Sequence, residues 1–280
     1  MPTSPVTSLL TLALLTTTSL RAQQYSPLDF YNHVQETNGM YPNMSTLGPE
    51  YYYGTSFDFS GVTTVDGQSI DARVTLTGTS GSYEPVGWLP HYNQQDDDLG
   101  AYYRYTGDSS QPTGGVSFTL TFYQGDGSFS TVAELDAFRI LIYDHDGEPG
   151  QSETVTITTA DGFTGYQLHN DSGITASSGT GNTWDFDARG ENHDEETASG
   201  GFIAYYENTS SISFSLTATT SPDLEVGKYG IFTGFDGNLS LTDIETSGFG
   251  SFVAVPEPTA CALASLGGLA LTLRRRHHRR

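Results

Sequence analysis

Asp144, Asp146 and Glu148 are the side chains with the clearest potential for chemistry in this sequence. They occupy alternate positions of the segment Asp-His-Asp-Gly-Glu, in which Gly147 permits a tight bend. Carboxylates spaced in this way in a turn can converge on one hard cation, and calcium takes about six to eight oxygen ligands. The glycine is the fourth residue of this segment, whereas it is the sixth residue of an EF-hand loop, so this loop is not an EF-hand. The sequence therefore predicts a calcium site here, with a solvated Asp-rich turn as the alternative.

Motifs for catalysis are not found in the sequence. It contains no Gly-x-Ser-x-Gly elbow, no phosphate-binding loop and no His-Glu-x-x-His pair, and its single cysteine is Cys261. Four histidines are expected at exposed positions: His91, His145, His169 and His193. The sequence thus predicts no catalytic residue and a protein that is not an enzyme. A polysaccharide hydrolase is the least favoured alternative.

Aromatic side chains suggest a saccharide contact. Trp88 and Trp184 stand in what the sequence presents as loops, and the chain contains 17 Tyr. An exposed aromatic ring can stack on a sugar ring, and a hydroxyl or indole N–H adds a polar handle. The alternative is that these aromatics alternate between the core and its rim. Trp88 and Trp184 are the predicted saccharide contacts.

The segments that must position these residues have the period of β-strands. Apolar and polar residues alternate in 116–122 and 212–217, whereas Ile140–Tyr143 is continuously apolar, as in a strand that is buried on both faces. About ten such runs are separated by Gly, Asp, Ser and Asn. This pattern predicts an all-β protein, an antiparallel β-sandwich that is jelly-roll-like. The sandwich is predicted over 51–245, after a lead-in segment over 23–50 that forms an arm or an added edge strand.

Charge is distributed unevenly along the chain. The net charge of the 280 residues is -22, but residues 23–255 contain only 5 Lys or Arg against 32 Asp or Glu, or about -27. Such a body repels polyanions, so nucleic acid is excluded as an expected partner. Divalent cations are the most plausible small partners.

The N-terminus has the features of a secretory signal peptide over residues 1–22. A short apolar run over residues 9–15 precedes a Thr/Ser stretch and Leu-Arg-Ala, so that Ala22 is the expected last residue removed. The run is too short to cross a bilayer, which takes about 20 apolar residues. A buried N-terminal helix is the alternative, which the Thr-rich flank disfavours.

The C-terminus combines three features in a fixed order. Val255, Pro256, Glu257 and Pro258 precede a mostly apolar segment over 259–273, and a basic tail over 274–280 follows. This order resembles the PEP-CTERM sorting signal of exported bacterial proteins. The resemblance covers 255–280 only, after a predicted linker over 246–254. It implies a C-terminal hydrophobic helix across the inner membrane, with Arg274, Arg275 and Arg276 as its cytoplasmic basic anchor. A simple single-span anchor is the alternative.

The resemblance also implies a partner and a destination. The partner is an exosortase, which cuts near the Pro-Glu-Pro motif. The precursor would be anchored in the inner membrane transiently, and the product would reach the cell surface or the extracellular matrix. The body would have a structural or adhesive role, and a module that binds exopolysaccharide is the alternative.

Overall fold

The computed structural model describes residues 24–30, 33–34, 56–81, 83–89, 99–105, 113–147, 149–190, 198–220, 231–239 and 247–256. Two single-turn 3-10 helices, Thr159–Asp161 and Ala198–Gly200, accompany the strands of this part of the chain. In chain order the strands are β1 (His33–Val34), β2 (Ser56–Val65), β3 (Gln68–Ser80), β4 (Tyr83–Leu89), β5 (Leu99–Tyr105), β6 (Thr113–Gln124), β7 (Leu135–Tyr143), β8 (Gln151–Thr158), β9 (Phe163–Leu168), β10 (Thr175–Ser178), β11 (Thr183–Arg189), β12 (Phe202–Thr209), β13 (Ser211–Thr220), β14 (Ile231–Asp236) and β15 (Val253–Ala254).

The strands form two antiparallel sheets that pack face to face. The first sheet has the order β1-β2-β3-β6-β13-β8-β11-β10, and the second has the order β15-β9-β12-β7-β14-β5-β4. The predicted all-β antiparallel sandwich is confirmed. From β6 to β9, successive strands alternate between the two sheets, and β11, β12, β13 and β14 alternate again. The jelly-roll arrangement remains a prediction.

The core lies between the sheets and is rich in aromatic rings. In β6 and β13 the apolar residue of each alternating pair points inward, as the period of two predicts. Phe118 and Phe214 of the first sheet meet Phe235 of the second, with ring centroids 5.4 and 5.2 Å from it. Nearby, Phe186 stacks on Phe202 at 3.9 Å across the same interface. The alternation in sequence therefore builds one continuous core.

Strand β7 is buried on both faces, as its apolar run predicts. Its inner face joins the core, whereas Leu141 and Tyr143 belong to a second hydrophobic cluster on the outer face of the second sheet. Tyr25 of the lead-in segment and Phe249 of the predicted linker pack against this second cluster. The segments that precede and follow the sandwich in sequence thus both contribute to covering the outer face of the second sheet.

The described part of the lead-in segment is built into the sandwich. Leu28 and Phe30 are fully buried, and the backbone N–H groups of Ser26 and Leu28 donate to Ala137 and Gly237. The N–H of Asp29 donates to Val62 of the first sheet. The segment therefore connects the two sheets, and β1 adds an edge strand to the first of them.

The predicted linker is also docked where it is described. In this segment β15 pairs with β9, and Phe252 packs edge-on against Tyr205 at 5.2 Å. The predicted hydrophobic helix over 259–273 lies outside the described residues. Where the chain is described, no helix is long and apolar enough to span a bilayer.

Candidate functional site

The predicted calcium loop begins where β7 ends, at one end of the sandwich. Asp144 takes a left-handed backbone conformation, with φ of 52°, and this reverses the direction of the chain. The next residue, His145, donates its backbone N–H to the carbonyl of Gly200 at 2.8 Å. The turn therefore directs the His145 side chain into the space between the sheets.

His145 is buried, so the prediction that it is exposed is wrong. Only 1% of the residue is accessible, and its ring packs edge-on against Phe202. Its Nε2 lies 2.7 Å from the carbonyl oxygen of Phe186 in β11. A carbonyl oxygen only accepts, so Nε2 is the donor and Nδ1 is the nitrogen that faces Glu153, at 3.7 Å from Oε2. The residue joins the second sheet to the first because it follows β7 of the second sheet and its ring contacts β11 and β8 of the first.

Glu153 extends this contact into a chain of buried polar groups. Its Oε1 accepts a hydrogen bond from Nε2 of Gln151 at 2.8 Å. The hydroxyl of Thr220 donates to Oε1 of Gln151 at 3.4 Å, and the hydroxyls of Thr220 and Tyr83 are 2.7 Å apart. We call His145, Gln151, Glu153, Thr220 and Tyr83 the end cluster. It crosses between the sheets twice, from β4 to β13 and from β8 to the loop after β7.

Burial dominates the electrostatics of Tyr103, whose ring packs against Tyr83 of the end cluster. Glu153 is 4% exposed, and its Oε2 has no hydrogen-bond partner among the described residues. Burial raises the pKa of the Tyr103 hydroxyl well above its usual value, and the negative charges of Glu153 and Asp144 act in the same direction. Tyr103 therefore stays protonated. It belongs to β5, and its ring centroid lies 6.1 Å from that of Tyr83.

The predicted calcium ligands are only partly described. Asp146 is buried at 7% exposure, Asp144 is half-buried, and Glu148 lies outside the described residues. Within the described chain no group of three His, Cys, Asp or Glu side chains is placed to hold a metal ion. Calcium binding that involves Glu148 remains a prediction.

The two tryptophans lie in strands, so their placement in loops is corrected. Trp88 belongs to β4, where it pairs with Ala101, and Trp184 belongs to β11. Trp184 is half-buried and packs against the Tyr166 ring at 5.4 Å. The alternation of β11 places Trp184 on the same side as Phe186, which points toward the core. Saccharide contact by Trp88 or Trp184 remains a prediction.

The sorting motif begins at the edge of the second sheet. Val253 and Ala254 pair with β9, and the N–H of Val255 donates to the carbonyl of Thr164 at 2.9 Å. Val255 is 7% exposed, whereas Pro256 is exposed. The rest of the motif, Glu257 and Pro258, and the basic anchor Arg274, Arg275 and Arg276 lie outside the described residues.

Sequence reasoning missed Glu153 and Gln151 as members of the end cluster. The signal was available, because the run Gln-Ser-Glu-Thr-Val-Thr-Ile alternates, and its parity places Gln151 and Glu153 on the inner side with Val155. The partner of Gln151 in β13 could not be found in this way, because Thr220 lies 69 residues further along the chain.

No protein-family model matches the sequence, and no curated protein of similar sequence is found. Among solved structures, the chain is similar to the N-terminal domain of the Streptococcus gordonii adhesin Sgo0707, with a TM-score of 0.43 and 10% identity. That match covers 76% of this chain and 57% of the other. A second similar structure is the adhesin domain of PrgB from Enterococcus faecalis bound to DNA, with a TM-score of 0.38, 16% identity, and 68% and 67% coverage. A structure of the same PrgB domain without DNA gives a TM-score of 0.35 with 14% identity, covering 65% of this chain and 63% of that one.

All three TM-scores lie below 0.5, so we infer neither activity nor partner from them. The exclusion of nucleic acid remains a prediction from charge.

Proposed function

We propose that this chain is an exported cell-surface or extracellular-matrix protein, sorted by an exosortase through its C-terminal signal. Its β-sandwich has a structural or adhesive role. The observation that supports the proposal is the packing immediately before the motif. Val253 and Ala254 pair with β9 at the edge of the second sheet, Val255 is buried and Pro256 is exposed.

The local geometry favours a cut at this position. Val255 is the last buried residue that the structure describes, and its N–H is bound to the carbonyl of Thr164. Pro256 has no backbone N–H with which to extend the pairing beside β9. Cleavage near the motif would therefore leave the sandwich intact and would remove the hydrophobic segment and the basic tail.

The burial of the end cluster favours a structural role for its histidine and glutamate. Histidine and glutamate are residue types that serve as general acids and bases, which must reach a substrate within hydrogen-bond distance. His145 and Glu153 are 1% and 4% exposed, and they lie between the two sheets. In this conformation the pair is almost completely shielded from solvent and joins the two sheets at the end of the sandwich.

We predict that substitution of the motif stops processing without unfolding the body. In the native host, the variant Pro256→Ala/Glu257→Ala/Pro258→Ala is expected to accumulate as an uncleaved, membrane-bound precursor. Val255 and its bond to Thr164 remain, so the sandwich keeps its edge. Fractionation followed by immunoblotting against the body measures the outcome.

The matched control is Ser251→Ala, an exposed residue close to the motif. It should be processed and sorted like the native protein. A second variant, truncated after Pro256, is expected to leave the inner membrane without processing. Processing and surface delivery that are unchanged in the motif variant would rule the proposal out.

A further inference from the structure

The outer face of the first sheet carries an ordered array of hydroxyl groups at its centre. Every outward position of 117–121 in β6, 152–158 in β8 and 211–217 in β13 is Ser or Thr. All of these residues are half-exposed, and the residues between them point into the core. We call this array the hydroxyl face. The hydroxyl face thus holds eleven side chains of one chemical kind on three adjacent strands.

The register of the strands aligns the hydroxyls into rows. Ser215 lies opposite Ser117 on one side and Thr156 on the other, so that one row crosses all three strands. The hydroxyls of Ser117 and Ser215 are 2.8 Å apart, and those of Thr119 and Ser213 are 3.3 Å apart. Strand geometry sets the repeat at about 4.8 Å across the strands and about 6.8 Å along them. These four hydroxyls are therefore held in place by one another.

The margin beside β11 carries two fixed carboxylates. The hydroxyl of Thr154 donates to Asp187 at 2.5 Å, and that of Thr156 donates to Asp185 at 2.8 Å. Carboxylates at the margin, together with the charge of about -27 over residues 23–255, repel an anionic polymer. The negative charge of the surface therefore favours neutral polymers over anionic polymers as partners of the hydroxyl face.

We propose that the hydroxyl face binds a neutral, hydroxyl-rich polysaccharide. Each Ser or Thr hydroxyl both donates and accepts, and a sugar hydroxyl has the same capacity, so the two surfaces match group for group. The repeats of the array suit an extended chain that places hydroxyls at regular intervals. The inference deepens the proposed function, on which it rests for the presence of an extracellular polymer. It does not involve Trp184, which lies on the opposite side of its sheet.

Retention of the full chain on polysaccharides tests this inference. The protein is purified from whichever fraction of the host contains it, so that a failure of export does not affect the measurement. The probes are swollen cellulose, cross-linked dextran and insoluble galactomannan, together with carboxymethyl cellulose as the anionic counterpart of cellulose. We expect binding to at least one neutral polymer, and weaker binding to carboxymethyl cellulose than to cellulose.

The test variant is Ser213→Ala/Ser215→Ala/Thr217→Val, which removes three of the four β13 hydroxyls of the hydroxyl face and keeps the inward residues of the strand. Three lost hydrogen bonds are expected to weaken binding by about tenfold or more. The single variant Thr217→Val, which keeps a β-branched side chain, should weaken it by about threefold and provides the test if the triple variant fails to fold. The matched control is Thr64→Val/Thr175→Val, two exposed strand threonines outside the hydroxyl face, and it should bind like the native chain.

Three results would overturn the inference. The first is no retention on any neutral polymer. The second is retention that the variants leave unchanged, or that is stronger on carboxymethyl cellulose than on cellulose. The third is a concentration-dependent dimer in sedimentation that the triple variant abolishes, because the hydroxyl face would then bind a second copy of the chain.

Discussion

Replacing His145 by alanine is expected to lower the free energy of unfolding by about 3–5 kcal/mol. The change leaves the Glu153 carboxylate buried without its facing imidazole, and it leaves the Phe186 carbonyl without its donor. It also removes a ring that packs against Phe202. Urea unfolding followed by tryptophan fluorescence measures the effect.

A double-mutant cycle separates the pair from simple packing. His145→Phe keeps a ring but still strands the carboxylate of Glu153, so it should also be strongly destabilising. His145→Phe/Glu153→Leu replaces both partners by apolar groups, and the replacement of a whole buried pair is often close to neutral. The double variant should therefore be more stable than His145→Phe alone, and more stable than the summed losses of His145→Phe and Glu153→Leu predict. Strictly additive effects, or a loss below about 1 kcal/mol for His145→Ala, would contradict this role.

Loss of the Phe186 ring is the other large effect that we expect. Phe186 is fully buried, stacks on Phe202 at 3.9 Å and meets Tyr166 edge-on at 5.1 Å. Truncation of a buried aromatic ring removes its transfer free energy and leaves a cavity, so Phe186→Ala should cost about 3–5 kcal/mol. Thermal and urea unfolding should both show the loss.

Phe252→Ala is the matched control for this prediction. The Phe252 side chain is 48% exposed and packs at the edge of the second sheet against Tyr205. A surface truncation of this kind is expected to change stability by about 0.5 kcal/mol or less. Comparable losses in Phe186→Ala and Phe252→Ala would show that the space between the sheets is not the main source of stability.

The local sequence pattern was sufficient to predict the strands that form the core. The alternation in β6 and β13 and the continuous apolar run in β7 each correspond to an observed burial pattern. These patterns depend only on whether a residue faces the core, and a period of two encodes that directly. The class of fold follows from them.

Pairings between distant segments could not be predicted in the same way. The burial of Leu28 and Phe30 depends on the lead-in segment reaching both sheets, and nothing in the composition of 23–50 shows that contact. His145 appeared exposed because Asp-rich turns are usually solvated. It is buried because the left-handed Asp144 turns the chain inward beneath β11.

The hydroxyl face shows the same difference between what the local sequence pattern predicts and what strand pairing adds. Alternation alone indicates that Ser213 and Ser215 point away from the core, but only the register brings Ser117 and Thr156 beside Ser215. A slip of one residue would place the polar side of one strand against the apolar side of the next. Two-dimensional order of this kind is a property of the assembled sheet.

Mass spectrometry of the mature protein isolated from the cell surface or the culture medium tests the central claim most directly. We predict a chain that begins after Ala22 and ends near Val255 to Pro258, without the tail over 274–280. Such a product would carry the whole sandwich and none of the hydrophobic segment. A surface form that extends intact to Arg280, or a protein that retains Met1 and stays in the cytoplasm, would contradict sorting by an exosortase.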